Sequence, residues 1–129
     1  MEQYNLHERL IDFAVTIIHV IKDIENSKAG NHLAGQLIRS GTSPSLNYSE
    51  AQSAESRNDF IHKMSIVLKE LRETFSCQKI IARANLYKGL PEYIDASMNE
   101  NNQLIAIFVK SIETSKSKAI KKTITSGNE

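Results

Sequence analysis

Gln36, Arg39, Ser40, Ser43, Asn47 and Glu50 recur at the spacing of one helical stripe. At about 100° of rotation per residue they share a face, while Leu33, Leu37, Gly41, Pro44, Tyr48 and Ala51 share another. A solvated helix face ordinarily carries long charged residues of high helix propensity. Ser and Asn instead compete for backbone hydrogen bonds and suit positions where a packed partner receives them. Arg39 can form a bidentate pair with a carboxylate, and Glu50, Glu70 and Glu73 are the candidate partners. One chemistry is therefore a polar network that sets helix register or subunit contacts. The other is a ligand-binding or catalytic site. The network is the better supported, because no nucleophile–base pair and no metal cluster accompanies these residues.

Other chemistry is sparse. A di-iron bundle requires two Glu-x-x-His pairs and two further Glu residues, whereas Asp59-x-x-His62 occurs once, with Asp in place of Glu. His7, His19 and His32 stand at no ligand spacing to one another. Cys77 lacks an evident activating base and reads as a small buried apolar group. Neither a phosphate-binding Gly-rich loop nor Gly-x-Ser-x-Gly occurs. The expectation is no catalytic residue, no metal, no cofactor and no small-molecule substrate.

A length of 129 residues suits one domain with a modest core. Two prolines and five glycines are too few for the turns of a sandwich or barrel. The net charge of +1 makes no case for nucleic acid except through a local patch. A lone cysteine forms no internal disulfide. The N-terminus lacks a signal peptide's basic and apolar regions, and no apolar run approaches the roughly 20 residues that span a bilayer. A cytoplasmic protein without a membrane partner is expected.

Four helical segments position these side chains. The first is expected over about Leu6–Ile24, with Leu6, Leu10, Phe13, Ala14, Ile17, Ile21 and Ile24 three and four apart. After a break at Asn26–Asn31, the second runs to about Ala54. Pro44 removes one helical hydrogen bond, leaving the Ser40 carbonyl for the hydroxyl of Thr42 or Ser43, or for a neighbouring helix. Both stripes keep their phase across it, so a continuous, kinked helix is favoured over a restart at Pro44. Ser56 and Asp59 resemble a capping box for the third helix, which reaches about Tyr87 with Phe60, Met64, Val67, Leu68, Leu71, Phe75 and Ala82 inward. Lys88-Gly89-Leu90-Pro91 stops it, with Gly as the cap. The fourth starts near Pro91 and uses Ile94, Met98, Ile105, Phe108, Val109 and Ile112, with a break allowed at Asn99–Gln103. The bundle domain covers residues 1–114, and 115–129 form a flexible Lys/Ser/Thr-rich tail. Short breaks between long amphipathic helices imply an all-α, antiparallel, up-down-up-down four-helix bundle.

Two surfaces exceed what one core needs. Ile66, Cys77, Ile80 and Ala84 line the third helix as a candidate oligomer face. Lys69, Arg72, Lys79 and Arg83 form a basic stripe, and Lys116, Lys118, Lys121 and Lys122 a basic tail, as candidate contacts to RNA or DNA. The alternative for both is ordinary solvated surface.

Gln36–Ser40, Thr42-Ser43-Pro44 and Asn47–Ala51, followed by Asp59–Met64 and Leu68–Thr74, resemble the paired blocks of a known family. It comprises the four-helix bundle proteins encoded by intervening sequences in bacterial 23S ribosomal RNA genes, and the resemblance covers about Leu6–Ile112. It implies an antiparallel bundle that assembles as a homopentamer, with no established catalytic activity. The accessory protein of diversity-generating retroelements is a related group that binds nucleic acid and a reverse transcriptase; the near-neutral charge here departs from it. The functional expectation is a non-enzymatic, self-associating scaffold or interaction module. The alternative is a nucleic-acid-binding accessory protein acting with an RNA-processing enzyme or reverse transcriptase.

Overall fold

The computed structural model describes residues 5–127, with side chains through residue 121. It is a four-helix bundle: α1 (Leu6–Lys22), α2 (Lys28–Gln52), α3 (Arg57–Arg83) and α4 (Pro91–Gly127). Among the described residues there is no strand, only a single antiparallel bridge between Ile24 and Tyr87. Each of the first three helices opens on a polar cap. The side chains of Asn5, Ser27 and Ser56 accept from the backbone N–H groups of His7, Gly30 and Asp59, satisfying donors that a helix start leaves open. In the expected capping box, Asp59 reaches the N–H of Glu55 at 3.4 Å, one residue before the cap, and also pairs with Lys63 at 3.4 Å.

Cross-helix pairs set the register. His7 meets Ser49, and a Cβ placed on Gly41 would lie 2.8 Å from two carbons of Ile17, so α1 and α2 touch nearly backbone to side chain there. From Leu33 to Asn47 along α2, the partners on α3 fall from Cys77 to Glu70. Gln78 and Leu71 of α3 meet Asn101 of α4, and Arg9 of α1 makes a bidentate pair with Glu100 at 2.7 Å for both bonds.

α1 buries Leu10, Phe13, Ala14 and Ile17 as expected, plus Val20. α2 stays helical through Pro44, with Leu37, Gly41, Pro44 and Ala51 inward. The hydroxyls beside the proline do not turn to Ser40. Thr42 donates to Ile38 O at 2.6 Å and Ser43 to Arg39 O at 2.7 Å, because a side chain in a helix reaches the carbonyl four residues back.

The inner face of α3 differs from the expected one. Met64, Val67, Leu71, Thr74, Gln78 and Ile81 are buried, whereas Ala82 is exposed. α4 mirrors this with Ser97, Asn101 and Leu104 buried beside Ile94, Phe108 and Ile112. The two helices share a polar layer within the core, which an apolar count along either helix misplaces. Gln78 donates to Asn101 Oδ1 at 3.0 Å, and Asn101 donates to the Leu71 carbonyl at 2.9 Å. The break allowed at Asn99–Gln103 is therefore absent: its central Asn is a buried hub.

α3 stops through Asn85, not Gly89. Asn85 takes φ 59°, and the N–H groups of Asn85 and Leu86 bond the carbonyls of Ala82 and Ile81, closing a Schellman motif. Gly89 has a different task, since a Cβ there would sit 2.5 Å from the Tyr87 hydroxyl. The α1–α2 and α3–α4 connections are tied together by Glu25 N–H to Leu86 O and Lys88 N–H to Asp23 O, both 2.7 Å. The backbone of α4 is helical to Gly127, past the expected end near Ser115, because Ser115 and Ala119 continue the inward spacing of Phe108 and Ile112. No helix among the described residues is long and apolar enough to cross a membrane.

Candidate functional site

Most of the polar stripe of α2 gathers at its seam with α3. Asn47 Nδ2 donates to Glu70 Oε1 at 2.8 Å. Arg39 Nη2 reaches Glu73 Oε2 at 3.1 Å and Gln36 Oε1 at 3.3 Å. Ser43 stands beside Glu70. Burial pushes the Glu70 carboxyl up; the Asn47 hydrogen bond, then Ser43, pull it down, Glu73 adds to the rise, and Arg39 opposes it. Ser40 is buried, and its hydroxyl has no hydrogen-bond partner among the described residues. Glu50 is exposed and stands apart from the seam. Arg39 and Glu73 are 56% and 40% exposed and share one contact, not the bidentate pair expected, so they contribute no more than about 1 kcal/mol. The bidentate guanidinium is Arg9, whose partner Glu100 lies 91 residues away and carries no local signature.

An open groove of about 760 Å³ runs along the same seam. Leu33, Ser40, Leu68 and Ile80 line it, with Arg39, Lys69, Arg72 and Glu73 at its sides. Cys77 also borders it, but is 7% exposed; its Sγ faces the Leu33 carbonyl at 3.5 Å. Burial raises the Cys77 thiol, which keeps it protonated and a poor nucleophile. A smaller cavity of about 480 Å³ lies at the paired connections, bordered by Val20, Asp23, Tyr87 and Tyr93.

The expected oligomer line on α3 is not one face. Ile66 and Ile80 are 37% and 52% exposed and Ala84 is exposed, but Cys77 is covered by α2. A second apolar strip escapes a count of core stripes. Ile11, Val15 and Ile18 of α1 are 37–46% exposed, and Ile38 and Leu46 of α2 are 43% and 69% exposed. Its signal was the 4-then-3 spacing of Ile11, Val15 and Ile18 beside the buried stripe.

The basic residues fall into two groups. Lys69 and Arg72 border the groove, Lys79 holds its ammonium 5.5 Å from the Phe75 ring centre, and Arg83 ends α3. Lys116, Lys118 and Lys121 are exposed near the other end of α4, and the side chain of Lys122 lies outside the described residues. Because Gln78 meets Asn101, Arg83 sits by the start of α4 and Lys116 lies about 22 Å beyond Asn101, so the groups stay apart.

A Ser–His contact, Ser49 Oγ to His7 Nε2 at 3.2 Å, joins α2 to α1. It is exposed and borders neither cavity, and among the described residues no carboxylate orients the imidazole. Asp59 is engaged by its cap and Lys63, and no group of three His, Cys, Asp or Glu among the described residues could hold a metal ion.

Fold and seam together define a helical bundle whose polar residues mostly answer one another across helices. The chain belongs to the 23S rRNA-intervening sequence protein family, whose profile matches residues 2–110. It is similar to a crystal structure of a protein of unknown function from the S23 ribosomal protein family of Bacteroides thetaiotaomicron VPI-5482. The two are 30% identical with a TM-score of 0.74, over 84% of this chain and 98% of that one. No curated protein matches.

Proposed function

We propose that this protein is a non-enzymatic, self-associating antiparallel bundle that serves as a scaffold or interaction module. The carrying observation is the apolar surface left outside the core: Ile11, Val15, Ile18, Ile38, Leu46, Ile66 and Ile80 are each more than a third exposed. Side chains of this kind on successive helical turns favour association, which removes them from water at about 25 cal/mol per Å². The absence of enzymatic activity is supported by the state of its reactive groups. Glu70 and Glu73 are engaged by α2, the thiol is held protonated, and the exposed Ser49–His7 pair lacks a cavity. Homopentameric assembly is the form that the family resemblance implies. Light scattering coupled to size-exclusion chromatography tests association: a mass several times 14.5 kDa is expected at micromolar concentration, and a clean monomer would refute it.

A second reading is contact with RNA or DNA in company with an RNA-processing enzyme or reverse transcriptase. It is favoured by charge segregation on α3, where Glu70 and Glu73 turn to α2 while Lys69, Arg72, Lys79 and Arg83 make no ion pair among the described residues. Retention of structured RNA or duplex DNA at low salt, lost on charge reversal at Arg72, Lys79 and Arg83, is the result this reading requires.

A further inference from the structure

We infer that the apolar strip of one protomer, formed by α1 and α2, seats in the α2–α3 groove of a second copy of the chain. This rests on the self-association proposed above and adds which surfaces meet. Ile11, Val15 and Ile18 occupy positions i, i+4 and i+7 of α1, the anchor spacing by which a helix lies in a groove. The contacts of Gly41 with Ile17 and Ser49 with His7 bring Ile38 level with Ile18 and Leu46 level with Ile11, so α2 widens the strip.

The groove matches in shape and in charge. Leu33, Leu68 and Ile80 supply apolar lining for the isoleucines. Beside them stand three cations, Arg39, Lys69 and Arg72, against one carboxylate, Glu73, which Arg39 already engages. The strip carries the opposite sign at its α1 N-terminal end, through Glu8 and Glu50. No aromatic side chain borders the groove, so it offers no stacking platform for a single-stranded nucleic acid.

Strip and groove are different patches of one surface, and α2 contributes to both. Their contact joins unlike patches: passed from neighbour to neighbour it closes into a ring or runs on as a filament, and exchanged between two protomers it closes a dimer.

Two variants test the pairing. Val15→Asp/Ile18→Asp disables the strip, and Lys69→Glu/Arg72→Glu disables the groove; all four positions are exposed, and circular dichroism verifies folding. Val15→Ser/Ile18→Ser replaces the first variant should it unfold. Each variant alone is expected to elute as a 14.5 kDa monomer under conditions where the parent protein assembles. Mixed in equal amounts, they are expected to form a dimer and nothing larger, because one intact strip and one intact groove remain. Adding Glu8→Lys/Glu50→Lys to the groove variant is expected to restore assembly.

A parent that assembles while the mixture stays monomeric would overturn this pairing and leave self-association standing. So would either variant assembling alone, or a groove variant that loses structured RNA but keeps its oligomer. A monomeric parent would remove both proposals.

Discussion

Glu70 shows how one side chain can be held and disfavoured at once. Asn47 donates to it at 2.8 Å, but burial outweighs that bond and raises its pKa. An acid with a raised native value binds its proton more tightly folded than unfolded. Ionisation then costs the native state stability as the pH rises through that raised value, and nothing is lost below the unfolded value. Gln at this position keeps an oxygen for Asn47 and removes the charge. Glu70→Gln is therefore expected to raise the denaturation midpoint near pH 7, with the advantage vanishing by about pH 3.5. Urea melts at the two pH values check this; an equal shift at both would show that the gain has nothing to do with ionisation. Cys77 teaches the same lesson from the apolar side, since its covered, protonated thiol is a packing group.

Between elements, the Gln78–Asn101 pair is the feature that most constrains α3 against α4. Asn101 is fully buried and serves two partners, the Gln78 amide and the Leu71 carbonyl. Sliding one helix by a residue would strand these groups without water, and each unpaired buried group costs about 1–3 kcal/mol. Asn101→Ala is expected to lower stability by about 2–3 kcal/mol, read from chemical denaturation. Replacing both by apolar residues, Gln78→Met with Asn101→Leu, is expected to recover most of that loss, because the two amides are removed together and neither is left without its partner. A double variant as unstable as the single one would mean that the layer matters by shape and not by hydrogen bonding. At the loop end, the Ile24–Tyr87 bridge and the two 2.7 Å backbone bonds tie connections that local turn signals treat as unrelated.

For the whole molecule, a net charge of +1 conceals an uneven surface. Cations collect along outer α3 and the far end of α4, while apolar strips run over α1 and α2. The two proposed activities therefore answer differently to salt. Association through an apolar strip is expected to survive 0.5 M NaCl, since burial of isoleucine is insensitive to screening on the scale of a Debye length of about 4–5 Å. Nucleic-acid binding through about four to seven cations is expected to fall by about 10²–10⁴-fold between 50 and 200 mM salt. Light scattering and filter retention on one preparation separate them; an oligomer that dissolves in step with the salt would place charge at the centre of assembly.

By itself the sequence determined the helices and most of the inward residues of α1 and α2, because three-and-four spacing and hydroxyl-rich breaks are local properties of the chain. It also marked Gln36, Arg39, Ser40, Ser43, Asn47, Glu50, Glu70 and Glu73 as residues wanting partners, of which Glu50 is exposed and away from the seam. The pairing was decided only in three dimensions: Asn47, not Arg39, took Glu70, and Arg9 took Glu100. The inner faces of α3 and α4 were likewise illegible, since Thr74, Gln78, Ser97 and Asn101 sit inward. Thr74 turns its hydroxyl to the Glu70 carbonyl within α3, whereas Gln78 and Asn101 are inexpensive to bury because each is the other's complement across helices, 23 residues apart in the chain. The same holds for the outer strip, where Ile11 and Leu46 become neighbours in height only because Gly41 lets α1 and α2 close together.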